Sequence, residues 1–161
     1  MRNGYALCSA TDLTKGTTLL EKCNPKYVDD IRKRLSIGLH CGVEVTAPGA
    51  QGDHRVSQAY CSAMPVAYCQ LPLREWRAFA TLILEAAYEA TLLAGAIRAA
   101  EGGSKIVLLT LLGDGVFGNP REWIFGAIRR AITQLKDCDL DIRIVSYSKP
   151  GRDLMQLVGS F

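Results

Sequence analysis

Residues 108–123 read LLTLLGDGVFGNPREW: an apolar run, three glycines within six positions (Gly113, Gly115 and Gly118), then Asn119, Pro120 and a helix opening. The run KIVLLTLL at 105–112 has strand length and unbroken hydrophobicity, the pattern of a parallel strand covered on both faces. Glycines let a backbone curl tightly and turn its amides toward an anion, and a following helix start adds partial positive charge. Strand, loop and helix opening together predict a phosphate cradle; a glycine-rich connection with no ligand is the plainer alternative. Asn119 is expected to N-cap the next helix, with Pro120 in its first turn and Glu122 complementing the dipole.

The three glycines spell Gly-x-Gly-x-x-Gly, the spacing of a dinucleotide fingerprint, but the surroundings do not fit one. In that fingerprint the third glycine packs inside the helix, and an acidic residue about 20 positions on stands at the far end of the next strand. Here Pro120 puts the helix start after Gly118, and Asp139 and Asp141 fall at the beginning of the next strand. The fingerprint is therefore read as a coincidence of spacing.

Working outward, LDIRIVSYS supplies a strand after the loop's helix and GRDLMQLVG a short terminal helix. The loop's helix takes its apolar side from Trp123, Ile124, Ala127, Ile128, Ala131 and Leu135. Upstream, 73–101 lacks proline and, until Gly95, glycine. Phe79, Leu82, Ile83, Ala86, Ala90, Leu93, Ala94 and Ile97 predict its buried face, and its small residues predict close approach to a sheet. RVSQAYCSAMPVAY reads as a strand that leaves the sheet near Ala63, before Pro65. From residue 56 the order is β, α, β, α, β, α, which implies an α/β fold with parallel strands and right-handed crossovers. Before residue 55 the chain reads as helices at 11–22, interrupted by Gly16, and at 25–35. After these come SIGLHCGVEV, given no strand, and the loop TAPGAQGDH.

Composition narrows the function classes. A chain of 161 residues, 48% hydrophobic and 22% charged, suits one domain with a real core. The net charge of +3 is mild, and the basic clusters Arg32, Lys33, Arg34 and Arg129, Arg130 are short, so solvated helix faces are expected and nucleic-acid binding is not. Glu85 and Glu89 interrupt the most apolar segment, 79–100, which argues against a membrane span. As an i, i+4 pair of like charge they are read as surface residues. MRNGYALCSATDL shows no apolar signal region, so the cytoplasm is the expected setting. Six irregularly spaced cysteines with two histidines promise neither a metal site nor a catalytic Cys/His pair, and no cofactor is expected.

Taken together, EAAYEATLLAGAIRA, KIVLLTLL, GDGVFGNP, EWIFGAIRRAI and LDIRIVSY resemble the macrodomain family, which binds ADP-ribose. VSQAYCSAMPVAY, LEAAYEATL, LTLLGDGVFGN and IVSY look more narrowly like a divergent branch that includes enzymes removing ADP-ribose from modified proteins. The resemblance covers 36–158. It implies a three-layer α/β/α fold with a mostly parallel sheet over 36–161, behind a helical segment at 1–35. It also implies that the chain carries the C-terminal portion of that fold, the family's first strands being lost or supplied from elsewhere.

By the same resemblance Gly113, Gly115, Val116, Phe117 and Gly118 are assigned to the ligand, chiefly its diphosphate, with Phe117 packing on the distal ribose. Asn119 becomes a further polar contact and Tyr147 an aromatic neighbour of adenosine. GVEVT stands where the branch is expected to carry an Asp-Thr-Glu-Val-Thr type segment, so Gly42 replaces a carboxylate and Glu44 remains. Hydrolysis at an anomeric carbon needs a positioned acid, base or water. Glu44 and Asp114 are the candidate catalytic carboxylates. The expected partner is ADP-ribose or an ADP-ribosylated protein; a non-catalytic binding module and an inactive fragment stay open beside the hydrolase.

Overall fold

Ser9 and Asn24 start the first two helices of the computed structural model, which describes residues 7–49 and 52–161. The first six residues of MRNGYALCSATDL, and residues 50 and 51 of the loop TAPGAQGDH, lie outside the described residues. The Ser9 hydroxyl accepts from the Asp12 amide to open α1 (Ala10–Lys22), and the Asn24 side chain accepts from Lys26 N to open α2 (Pro25–Lys33). Both helices lie where the sequence puts them, and Gly16 faces open space without breaking α1.

SIGLHCGVEV, read without a strand, forms one. Strand β1 (Gly38–Glu44) pairs antiparallel with β2 (Arg55–Tyr60), with a bulge between His40 and Val43. Gly42 takes φ +66° there, a left-handed conformation that glycine accepts without a Cβ penalty. Nearly all of this hairpin is exposed, so no burial periodicity was present in the sequence to announce it. Strand β2 ends before Ala63, as expected.

The long helix α3 (Leu73–Ala100) is the center of the core. It buries Trp76, Ala80, Leu84, Ala87, Tyr88 and Leu92, a face rotated from the expected one. Leu82 and Ala86 are buried as expected, but Leu93 and Ile97 are exposed. Apolar residues nearly encircle this helix, so periodicity could not choose the inward side. The partners choose it: α4 (Arg121–Gln134) packs there through Trp123, Ile124, Ala127, Ile128 and Ala131, and α1 joins through Leu13. By length and composition α3 could also cross a membrane. In this structure it carries core residues and ion pairs to other helices.

Strand β3 (Ile106–Leu109) pairs with β4 (Asp141–Ile144) in parallel, with Ile106 opposite Asp141 and Leu109 opposite Ile144. Helix α4 makes the crossover, so the β–α–β order of the loop region is realised, and α5 (Arg152–Val158) closes the chain. Two expectations are corrected. Among the described residues the strands form two separate two-stranded sheets, one antiparallel and one parallel, instead of one mostly parallel sheet. Strand β3 is also covered on one face only: Val107 and Leu109 are buried while Ile106 is 47% and Leu108 61% exposed. Alternate side chains of a strand point to opposite faces, and the described chain supplies packing to one.

Glu85 and Glu89 are not simple surface residues. Arg32 of α2 reaches Glu85 Oε2 at 2.6 Å and Arg130 of α4 reaches Glu89 Oε2 at 2.5 Å, while Asp29 accepts from both arginines. Apart from Asp29, these side chains are largely withdrawn from water, so the clusters read as solvated helix faces are divided: Lys33, Arg34 and Arg129 are exposed, Arg32 and Arg130 are not. The like-charged glutamates are compatible because each has its own arginine.

The expected close approach of α3 to a strand is made at Gly95, where a Cβ would lie 2.5 Å from Val107 Cγ2. Valine is stiff at χ1 and sits on a paired strand, so it cannot simply swing away. Gly95→Ala should gain about 1 kcal/mol of helix propensity yet lose about 1–3 kcal/mol to overpacking. Net destabilisation in denaturant unfolding is expected, smaller when Val107→Ala is already present.

Candidate functional site

The glycine loop between β3 and α4 is held at both ends and underneath. At its start the Tyr88 hydroxyl, on α3, donates to Thr110 O and accepts from Leu112 N, both at 2.8 Å. Burial pushes the Tyr88 phenol far above its ordinary range, so it stays protonated and keeps its donor. At its end Asn119 is only 3% exposed. Its Nδ2 donates to Met64 O at 2.8 Å and Gly113 O at 3.3 Å, and its backbone amide donates to Gly113 O at 3.1 Å. The two carbonyls facing Nδ2 fix which way the amide points.

Asn119 therefore does not cap α4. Pro120 occupies the N-cap position with no side-chain hydrogen bond, and α4 begins at Arg121. The amide group has turned inward onto the Met64 and Gly113 carbonyls, each of which also accepts a backbone amide, from Val66 and from Asn119 itself. The assigned polar contact thus sits under the loop instead of on its surface.

The three glycines have different reasons to be glycine. All have left-handed φ: +83° at Gly113, +70° at Gly115 and +68° at Gly118. A Cβ on Gly113 would lie 2.5 Å from Ala63 Cβ, and one on Gly118 would lie 2.8 Å from Ala67 Cβ. Those two glycines let the loop lie on the 63–67 segment. A Cβ on Gly115 would meet nothing within 4 Å. Between them, residues 115–117 make a single 3-10 turn in which Val116 is 74% exposed and Phe117, half-buried, meets the Tyr68 ring edge-on at 5.7 Å.

Asp114 and Arg121 face each other across this turn. Asp114 Oδ1 accepts from Gly115 N at 2.9 Å, and its Oδ2 accepts from Arg121 Nε at 3.2 Å and Nη2 at 3.0 Å. Arg121 Nη1 also donates to Asp153 Oδ2 at 2.9 Å, tying α5 to the start of α4. That hydrogen bond holds the Asp153 carboxyl below the usual carboxylate range. The loop's own amides are partly committed as well, Gly118 N to Gly115 O at 3.0 Å and Asn119 N to Gly113 O.

The structure thus gathers Gly113, Asp114, Gly115, Val116, Phe117, Gly118 and Asn119 in one turn at the N-terminus of α4. Glu44 stands elsewhere, exposed at the end of β1 and in register with Arg55. Tyr147 lies beyond β4, 113% exposed. Sequence reasoning missed Tyr88, Arg121 and the Met64 carbonyl. Arg121 could have been found from its place in the first helical turn after the loop, but Tyr88 is indistinguishable in sequence from the other apolar residues of α3. Burial also pushes the Cys61 and Cys8 thiols up, away from the reactive thiolate. Two surface hollows lie away from the loop, one of about 480 Å³ along α1 beside Lys15 and Leu19, another of about 270 Å³ beside Ala96 and Leu140. The second also gathers Lys105, Cys138 and Asp139, with Lys105 and Asp139 paired to each other at the surface.

Compared with known proteins, the chain matches no protein-family model, no curated protein and no solved structure.

Substitution should separate the glycines. Gly113→Ala and Gly118→Ala combine a strained φ with a Cβ inside the 63–67 segment, whereas Gly115→Ala carries only the left-handed penalty of about 1–2 kcal/mol. Urea midpoints are expected to fall well below wild type for the first two and only modestly for the third.

Proposed function

We propose that this chain is a macrodomain-like protein that binds ADP-ribose, free or attached to a modified protein, at the turn 113–119. The observation that carries the reading is the difference among the glycines: Gly113 and Gly118 are explained by chain packing, while Gly115 faces open space in a left-handed conformation. The left-handed φ by itself favours glycine at 115, and the open space beside it leaves the backbone accessible to a ligand. The start of the 14-residue helix α4 lies immediately beyond, and its aligned peptide dipoles favour an anion there. The diphosphate lies along Gly115, Val116 and Gly118, and Phe117, braced by Tyr68, offers a ring to the distal ribose. In this reading the parallel β3–α4–β4 unit is the ligand-holding part of the α/β fold.

Binding, not turnover, is the activity proposed for the chain by itself. Asp114 is engaged by Arg121 and the Gly115 amide, and Glu44 is on the exposed hairpin. A missing positioned acid or base lowers a rate by about 100-fold to 10,000-fold.

Calorimetric titration with ADP-ribose, NAD and ATP tests this. ADP-ribose is expected to bind most tightly, with most of that affinity lost in Gly115→Val, and release of ADP-ribose from a modified protein is expected at background. Tighter NAD binding would restore the dinucleotide-fold reading, and equal binding by Gly115→Val would remove the loop from the site.

A further inference from the structure

We propose that Asp114 is an internal counter-anion of the loop: its carboxylate holds the place of a ligand phosphate, and binding exchanges one for the other on Arg121 and the Gly115 amide. The proposal rests on the phosphate-binding reading of this turn and adds how the site is regulated and which cation it uses.

Two donor types recognise phosphate at a helix start, a backbone amide and a forked guanidinium. Both are present here and both are already satisfied by one carboxylate. Asp114 Oδ1 takes the Gly115 amide at 2.9 Å, and Oδ2 takes Arg121 Nε and Nη2 at 3.2 and 3.0 Å. Among the described residues the other polar contact of that guanidinium is Asp153 Oδ2 on Nη1 at 2.9 Å, which keeps Arg121 anchored to α5 if Asp114 leaves.

Charge makes the event an exchange. Two carboxylates already surround one guanidinium, and a diphosphate diester adds two more negative charges within a few ångströms. Like charges at that range repel by about 1 kcal/mol even in bulk water and by more near a protein surface. Letting Asp114 swing out removes one of them and frees the two donors together. The side chains permit it: Asp114 is 32% and Arg121 48% exposed, and the space over Gly115 is open on the ligand's side. The same electrostatics disfavour a terminal phosphate, which carries more charge than an internal diester phosphate. Asp114 therefore also acts as a specificity residue for internal diphosphates.

The test uses the full chain and calorimetry with ADP-ribose, ADP and inorganic pyrophosphate, with thermal melts confirming that each variant is folded. Asp114→Asn keeps an acceptor for the Gly115 amide but removes the charge, so ADP-ribose should bind about 10-fold more tightly, and ADP and pyrophosphate should gain still more. Arg121→Gln should weaken ADP-ribose about 10-fold and abolish the gain from Asp114→Asn in the double variant. Asp153→Asn should give a smaller gain of the same sign, and it carries the test should Asp114→Asn fail to fold. Unchanged or weaker ADP-ribose binding in the aspartate variants overturns the exchange while leaving the proposed function standing. If wild type ignores ADP-ribose but Asp114→Asn takes up pyrophosphate through Arg121, the exchange stands and the ADP-ribose reading falls. If no variant binds any of the three, both fall.

Discussion

Burial of one face of α3 against α4 is the contact from which the other placements follow, because α1, α2, α4 and β3 are all located by that one helix. Trp76, Leu84 and Leu92 from α3 and Ile124 and Ile128 from α4 are fully buried, and burying a side chain of this kind is worth about 1.5–3 kcal/mol. The face that turns inward also decides what stays outside. With Tyr88 inside, its hydroxyl arrives under Thr110 and Leu112 and fixes where the glycine loop leaves β3. With Gly95 toward Val107, β3 lies close against the helix, and α4 completes the crossover to β4.

A second layer of order is ionic. Asp29, Arg32, Glu85, Glu89 and Arg130 bring together α2, α3 and α4 with the charges alternating in sign. Pairs of this kind add little net stability over apolar contacts of similar volume, yet losing one member leaves a partly desolvated charge without its partner. Their contribution is to join α2 and α4 to α3 through specific partners, Arg32 on Glu85 and Arg130 on Glu89.

The loop shows how rigidity and openness coexist in one short segment. Its ends and floor are held by Tyr88 and Asn119, its contacts with the 63–67 segment require glycine at 113 and 118, and its middle residues project outward. A turn braced in this way is already ordered, so the binding proposed for it would be opposed by little conformational entropy.

Much of this was legible in the residues alone. The apolar side of α4, the span of α3, the parallel pairing of 106–109, the part of the 105–112 run that forms β3, with the strand after α4, and the terminal helix all follow from local signals: apolar periodicity, glycine and proline punctuation, and strand-length apolar runs. Five of the six named positions are buried, and Leu135, just past the end of α4, is partly so. Where a signal depends on partners distant in sequence, the residues could not give it. The hairpin β1–β2 has no buried alternation, and its pairing rests on backbone hydrogen bonds, the edge contact of His40 with Tyr60 and the Arg55 bond to the Gly42 carbonyl. The inward side of α3 was undecidable because the helix is apolar nearly all round. Asn119 had a good local role as an N-cap and was drawn away from it by the Met64 carbonyl, 55 residues earlier. Helix and strand formation rests on neighbours within a few residues, which a sequence displays. The choice of buried face and of hydrogen-bond partner rests on surfaces that meet only when the chain is packed.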